Sequence, residues 1–130
     1  MCATSPPSMP KLGRTRQSIL CVDDSLEMLE IGQTILEREG YQVFTSTSGA
    51  GALELLRLHS MNAAVIDNVM PGMNGIELAR QIKSFAPDVL VVMYSGTLRE
   101  GESFPFVDVC LPKAKGPLAL RKLLGSLLQK

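Results

Sequence analysis

The chain has little of what several large classes of protein depend on. Among its 130 residues there is no tryptophan, one histidine and an aromatic content of 5%, so aromatic platforms for stacking nucleic-acid bases are not expected. Lysine plus arginine and aspartate plus glutamate both number 13, which makes the formal net charge zero and removes the basic surface of a nucleic-acid binder. No apolar run approaches the roughly 20 residues of a membrane-spanning helix. We therefore predict neither a nucleic acid nor a membrane as partner.

Cysteine is also scarce. Cys2, Cys21 and Cys110 are odd in number and lie at no metal-ligand spacing, and Cys21 falls in an apolar run where a small buried side chain fits. A reducing cytoplasm is the simplest setting for such a chain. The first 16 residues are rich in proline and contain no apolar stretch of the kind that a signal peptide carries. We predict a flexible tail over residues 1–16 and one domain over residues 17–130.

From Gln17 onward, short apolar runs alternate with helix-length amphipathic stretches. This alternation predicts a doubly wound α/β domain, in which helices cover both faces of a parallel sheet. Three nearly continuous apolar runs indicate central strands buried on both faces, and two weaker runs indicate edge strands. The central runs are residues 19–22, 63–66 and 89–93, and the edge runs are residues 41–45 and 107–111.

The helices follow from the period of the apolar residues and from capping signals. One helix ends before Gly40, a second follows Ser48, a third begins at Asn74, and the last starts at about Pro117. The segment 97–105 contains glycine and proline and has too few apolar positions for an amphipathic helix. We expect a turn or loop there.

Ligands of open α/β sheets bind beyond the carboxyl ends of the strands. The side chains that follow the predicted strands are Asp23, Asp24, Asp67, Ser95 and Lys113. Singly, each has a structural explanation: Asp24, followed by Glu27, could cap the first helix, Asp67 and Ser95 could form turns, and Lys113 could be a solvated lysine. Together, three carboxylates would meet at one rim, where each pair of charges about 4 Å apart costs on the order of 4 kcal/mol at an effective dielectric of about 20. A divalent cation relieves this repulsion, and oxygen ligands of this kind suit Mg²⁺.

The lysine and the serine complete a rim that can receive the oxygens of a phosphoryl group. Asp67 is then the candidate nucleophile. At this point four motifs, in order and at about the right spacing, resemble the receiver domain of bacterial two-component response regulators. They are Asp23-Asp24, Asp67 followed by Asn68-Val69-Met70-Pro71 and Gly75, Ser95-Gly96-Thr97, and Leu111-Pro112-Lys113.

The resemblance covers residues 17–130. It implies a flavodoxin-like sheet of five parallel strands in the order 2-1-3-4-5, here with the fourth helix shortened or missing. It also implies that Asp67 takes a phosphoryl group from a phosphohistidine on a sensor histidine kinase or a phosphotransfer protein. Asp24, Asp67 and the main-chain carbonyl of Val69 are expected to ligate Mg²⁺, with Asp23 acting mostly through water.

Two further roles follow from the same resemblance. Lys113 is expected to pair with the carboxylate and then with the phosphoryl group. Ser95 is expected to rotate inward to hydrogen-bond the new phosphate, which moves a two-state equilibrium. The output would be an altered surface that contacts an unknown downstream protein or forms a homodimer.

The chain departs from the family pattern on both sides of the rim lysine. Cys110 stands where the family usually has an aromatic residue that packs with the hydroxyl switch, and Phe104, Phe106 and Tyr94 are the candidates to replace it. Ala114 stands where the family has a proline in a cis peptide. Because a non-proline cis bond costs about 2.5–4 kcal/mol, we predict a trans bond or a strained loop.

Two other features bear on the output. Without a full fourth helix, we expect part of the sheet edge to be exposed. Such an edge either binds a partner or is protected from pairing by a charge such as that of Asp108. Val69 and Thr97 flank the expected path of attacking water, and the lack of an amide or acid at Val69 predicts slow self-dephosphorylation.

Three classes of function remain open. The first is a stand-alone phosphorylation switch, expected because only 17 residues follow Lys113 and the final helix needs them. The second is a receiver-like interaction module that phosphorylation does not switch, motivated by Cys110, Ala114 and the weak fourth helix. The third is a phosphohydrolase acting through Asp67, which is disfavoured because His59, the one histidine, is expected far from the rim.

Overall fold

The structure, a computed structural model, describes residues 16–128. All neighbouring strands in its sheet are parallel, in the order β2-β1-β3-β4-β5. The predicted fold class and strand order are confirmed. The predicted tail, apart from Arg16, lies outside the described residues. The strands are β1 Ser18–Val22, β2 Gln42–Ser46, β3 Ala63–Ile66, β4 Leu90–Ser95 and β5 Val109–Pro112.

Burial along the strands follows the sequence pattern. Every residue of β1 and β3 is buried, as expected for strands that are covered on both faces. The strands β2 and β5 lie at the two edges and are partly exposed. Val22 of β1 lies beside Ile66 of β3, which lies beside Met93 of β4. The carboxyl ends of β1 and β3 are therefore level, β4 continues beyond them to Ser95, and the residues that follow these strands share one edge of the sheet.

Within residues 16–128, four α-helices cover the two faces of the sheet. Buried residues of α2 and α3 pack on one face of the sheet, and those of α1 and α4 pack on the other. The alternative that Asp24 caps α1 is wrong, because Ser25 is the N-cap and its side chain accepts a hydrogen bond from the Met28 N–H at 3.2 Å. Ser48 and Asn74 cap the next two helices as predicted. The helices are α1 Leu26–Arg38, α2 Gly49–Leu58, α3 Gly75–Phe85 and α4 Pro117–Leu128.

The segment between β4 and β5 contains turns and no helix, as the glycine and proline interruptions predict. One side chain at its end ties the loop to the sheet. The Asp108 carboxylate accepts a hydrogen bond from the Val91 N–H at 2.8 Å and lies 2.7 Å from the Lys83 ammonium. Lys83 also donates to the Val89 carbonyl at 2.8 Å. Asp108 is thus bonded to β4 and to α3, instead of standing alone as a charge on an open edge.

None of the α-helices within residues 16–128 is both long enough and apolar enough to cross a bilayer.

Candidate functional site

Three aspartates meet at the carboxyl edge of the sheet. Asp23 directly follows β1 and Asp67 directly follows β3, and both are buried, whereas Asp24 is exposed. One carboxylate oxygen from each lies within 4.8 Å of the others. Main-chain hydrogen bonds hold the two buried residues, since the Asp23 N–H donates to the Ser46 carbonyl at 3.2 Å and the Asp67 N–H to the Val22 carbonyl at 3.0 Å. The cluster is therefore built on the strand ladder itself.

Lys113 extends from the end of β5 into this cluster. Its ammonium lies 2.6 Å from Asp23 Oδ2 and 3.5 Å from Asp67 Oδ2. Burial acts to lower the pKa of Lys113, but its hydrogen bond to Asp23 and the charges of Asp23 and Asp67 outweigh burial and raise that pKa. The lysine is therefore a permanent positive charge at neutral pH.

The peptide bond after Lys113 is trans, since no cis peptide occurs between residues 16 and 128. The predicted trans bond is confirmed. Lys113 begins a short 3₁₀ turn, Lys113–Lys115, which ends at Gly116 with a φ of 90°. A positive φ of this size is readily adopted by glycine, so the turn redirects the chain into α4. The long side chain still reaches the aspartates without a proline at position 114.

The donor set fits a divalent cation. Asp23 is already positioned by protein groups, because its Oδ1 accepts from the Ser25 N–H at 3.0 Å and its Oδ2 contacts the lysine. Three carboxylates and one ammonium sum to a formal charge of −2, which a doubly charged ion neutralises. Hard carboxylate oxygens with room for water are the ligands that Mg²⁺ prefers. Val69, whose carbonyl is a predicted ligand, lies two residues after Asp67 with a side chain that is 58% exposed.

Gly75 packs closely against the backbone of Asp67 and Asn68. The Gly75 N–H donates to the Asn68 carbonyl at 2.8 Å, which closes the loop between β3 and α3. A Cβ at position 75 would lie 2.4 Å from the Asp67 carbonyl oxygen and 2.8 Å from Asn68 Cα. Sequence reasoning included Gly75 only as part of a motif and missed this steric role. A glycine at the start of a helix, following an Asn N-cap, was the available signal.

Ser95 ends β4 at the same edge, where it lies beside Pro112 of β5. Its side chain is buried. Its hydroxyl oxygen accepts from the Thr97 N–H at 3.3 Å and lies 3.1 Å from Thr97 Oγ1. The hydroxyl is therefore engaged with its own loop, and its predicted inward rotation stays a prediction.

The aromatic candidates lie in different places. Cys110 and Phe104 both pack against the core cluster under α2 and α3. Tyr94 belongs to the cluster on the opposite face, under α1 and α4, and Phe106 is half-exposed at a φ of 68°. Phe104 thus packs on the same face as Cys110, whereas Tyr94 does not. His59 caps the carboxyl end of α2 and stacks on Phe44, with ring centroids 4.4 Å apart, at the end of the sheet opposite to the aspartates.

A doubly wound sheet in the order 2-1-3-4-5, with aspartates and a lysine at its carboxyl edge, defines the CheY-like class of signalling domain. The family model of the response regulator receiver domain matches residues 19–104. This chain belongs to the response regulator receiver domain family, and Mg²⁺ binding and aspartate phosphorylation are general in that family.

Individual relatives agree with this assignment. The transcriptional regulatory protein CpxR homolog of Haemophilus influenzae is 36% identical in an alignment of 102 residues that covers 73% of this chain and 43% of that protein. The chain thus spans less than half the length of this relative. A CheY-like receiver domain protein from Methanospirillum hungatei has 27% identity and a TM-score of 0.81 over 88% of this chain and 95% of that one. TrrA of Thermotoga maritima, crystallised with Mg²⁺ and BeF, has 26% identity and a TM-score of 0.78 over 85% of this chain and 98% of that one.

Proposed function

We propose that Asp67 accepts a phosphoryl group from a phosphohistidine on a sensor histidine kinase or a phosphotransfer protein. An Asp67 carboxylate oxygen attacks phosphorus, the phosphorus–nitrogen bond breaks, and the histidine nitrogen leaves and takes up a proton. The product is an acyl phosphate. The single observation that supports this most is the convergence of three carboxylates and the Lys113 ammonium at one edge of the sheet.

Within this proposal, Asp24, Asp67 and the carbonyl of Val69 hold Mg²⁺, while Asp23 acts mostly through water. The ion supplies charge neutralisation for the phosphoryl oxygens when it is bound. Before phosphorylation the Lys113 ammonium contacts Asp23, its nearer partner at 2.6 Å. Because the lysine side chain is long and flexible, the ammonium can move to contact the phosphoryl group once Asp67 carries it.

Ser95 is the proposed switch residue. To reach a phosphate, its hydroxyl has to leave Thr97, 3.1 Å away. A neutral hydrogen bond contributes about 0.5–1.5 kcal/mol net, and a bond to a charged phosphate about 1.5–3 kcal/mol. Because the second contribution is larger, phosphorylation favours the rotated state, and the loop after β4 moves with the serine.

The proposed output is a phosphorylation-dependent protein contact, with an unidentified downstream protein or with a second copy of the chain. A cytoplasmic location, which the free Cys21 and Cys110 favour, is part of the proposal. The stand-alone status expected from the sequence stays a prediction, since the chain matches 43% of the CpxR homolog.

Slow self-dephosphorylation is proposed as well. Val69 and Thr97 are both exposed at the rim, and neither carries an amide or acid that would orient an attacking water. The acyl phosphate should persist for minutes or longer, as measured by intact mass after the phosphodonor is removed. A lifetime of seconds contradicts this part of the proposal.

The central test uses a small-molecule phosphodonor with Mg²⁺ and reads the intact mass. The wild-type chain should gain one phosphoryl group, and Asp67→Asn should gain none. Asp88→Asn is the matched control, because Asp88 is an exposed aspartate just before β4, at the opposite end of the sheet. An unchanged wild-type mass, or phosphorylation that survives in Asp67→Asn, contradicts the proposal.

The alternative is a receiver-like interaction module that phosphorylation does not switch. Cys110 in place of an aromatic residue and the helix-free segment between β4 and β5 favour it. A switch requires a partner with different affinities for the two states. Once a partner is found, equal affinity with and without Mg²⁺ and a phosphoryl mimic would identify the module.

A further inference from the structure

The side chain of Tyr94 carries a buried hydroxyl group that takes no part in the contacts described so far. The residue is the penultimate one of β4 and is only 7% exposed. Its hydroxyl oxygen is buried and has no hydrogen-bond partner among residues 16–128. Buried polar groups in proteins are almost always bonded, because an unmet donor or acceptor loses its hydration without compensation. A partner other than a described side chain or main-chain group is therefore expected.

A small cavity adjoins both this tyrosine and Asp23 of the acidic cluster. Its volume is about 30 Å³, and about 10–15 Å³ of such space is enough for one water molecule. Most of its lining residues are apolar, and Asp23 and Tyr94 are the polar exceptions. Its lining includes Cys21, Asp23, Leu29, Gly32, Tyr94 and Leu120.

The charges around the cavity favour a tyrosine that acts as a donor. Burial is the main cause that raises the pKa of Tyr94, Lys113 lowers it and Asp23 raises it, with a net rise. The phenol is thus protonated at neutral pH. Tyr94 and Asp23 line the same cavity, which places the tyrosine on the side of Asp23 that the acidic cluster leaves open to the core.

The carboxylate of Asp23 can accept further hydrogen bonds. Its Oδ1 accepts from the Ser25 N–H and its Oδ2 contacts Lys113. Each carboxylate oxygen has two lone pairs, so Asp23 can also accept hydrogen bonds from water in the cavity that it lines.

We propose that the cavity binds one or two ordered water molecules that bridge the Tyr94 hydroxyl to the Asp23 carboxylate. Tyr94 donates to the water and the water donates to the carboxylate. Tyr94 is then a positioning residue, which holds Asp23 and, through it, Lys113 in the geometry of the acidic site. The role deepens the proposed function, because it bears on the site that would hold Mg²⁺.

The perturbation that tests this role is Tyr94→Phe, which removes one oxygen and keeps the ring. Tyr41→Phe is the matched control, because Tyr41 is also buried but lies just before β2, at the amino end of the sheet. Loss of one hydrogen bond in the network should weaken Mg²⁺ binding about 3- to 10-fold in Tyr94→Phe. The control should bind Mg²⁺ as the wild type does. Binding is measured by calorimetry, with thermal unfolding of each variant checked in parallel.

A second measurement needs no variant. A high-resolution crystal structure of the wild type, or water–protein cross-relaxation in NMR, should show water within hydrogen-bond distance of the Tyr94 hydroxyl and Asp23. A dry cavity overturns the proposal, and so does unchanged Mg²⁺ affinity in Tyr94→Phe. If the wild type binds no Mg²⁺, the water measurement still decides for or against the bridge. Failure of the phosphodonor experiment is a separate result that leaves this proposal in place.

Discussion

The substitution Gly75→Ala tests whether the backbone of Asp67 depends on a glycine at the start of α3. A Cβ there would lie 2.4 Å from the Asp67 carbonyl oxygen, whereas ordinary contact begins at 3.4 Å, so the two groups must separate by about 1.0 Å. Both neighbours are main-chain atoms and cannot move aside by a rotamer change. The loop that carries the phosphoacceptor has to shift.

Two opposing effects set the stability of this variant. Alanine is favoured over glycine in a helix by about 1 kcal/mol at most. Forced overpacking costs about 1–3 kcal/mol. We expect a net destabilisation of about 1–2 kcal/mol, which corresponds to a fall in Tm of roughly 4–8 °C for a domain of this size. Because a displacement of about 1 Å at a reacting group reduces rates up to about 100-fold, the rate of phosphorylation should fall roughly 10- to 100-fold.

Gly125→Ala is the control for helix propensity. Gly125 lies in α4, and a Cβ there meets nothing within 4 Å. This variant should be about 0.5–1 kcal/mol more stable than the wild type and should accept phosphate at the wild-type rate. The assays are thermal unfolding and the time course of intact mass with a phosphodonor. If Gly75→Ala is as stable and as reactive as Gly125→Ala, the steric argument is wrong.

Two further predictions concern the core and the loop before β5. Burial, with the charge of Asp23 adding to it, raises the pKa of the Cys21 thiol to about 12, so its thiolate fraction at pH 8 is roughly a thousandfold below that of a thiol with pKa 9.0. Peptide mapping should find Cys21 unalkylated in the folded chain and alkylated in denaturant, and rapid native labelling would contradict this. Asp108→Ala removes the bonds to Val91 and Lys83 and should destabilise the domain by about 1–3 kcal/mol in urea unfolding. Asp108→Asn retains an oxygen acceptor and should therefore lose less stability than Asp108→Ala. If both variants lose the same stability, the hydrogen bond to Val91 contributes little.

The starts of α2 and α3 are predicted correctly because a single capping residue determines each of them. Ser48 and Asn74 accept hydrogen bonds from main-chain N–H groups inside the first turns of their helices, as capping preferences predict. At the start of α1 the sequence favours Asp24 as a cap, whereas the cap is the next residue, Ser25, which is an equally good capping type. Which one caps depends on where the chain leaves β1, since Asp23 turns inward and bonds the Ser25 N–H.

The end of the predicted sheet shows a second limit. The apolar run predicts the last strand over residues 107–111, whereas β5 is Val109–Pro112. The Asp108 side chain bonds Val91 and Lys83, and these partners are remote in sequence, so no local pattern reveals them.

The order of apolar and polar residues is enough to predict the class of fold and the edge of the sheet at which Asp23, Asp67 and Lys113 lie. The reason is that the spacing of apolar residues and the ends of strands are local features of the sequence, and in a parallel sheet the carboxyl ends of all strands lie at one edge. Distances and pairings required the folded chain. Lys113 lies nearer to Asp23 than to Asp67, and Tyr94 faces a cavity under the opposite layer of helices from Cys110. Those outcomes depend on how elements distant in sequence pack against one another, and packing is a property of the whole structure that no short stretch of residues contains.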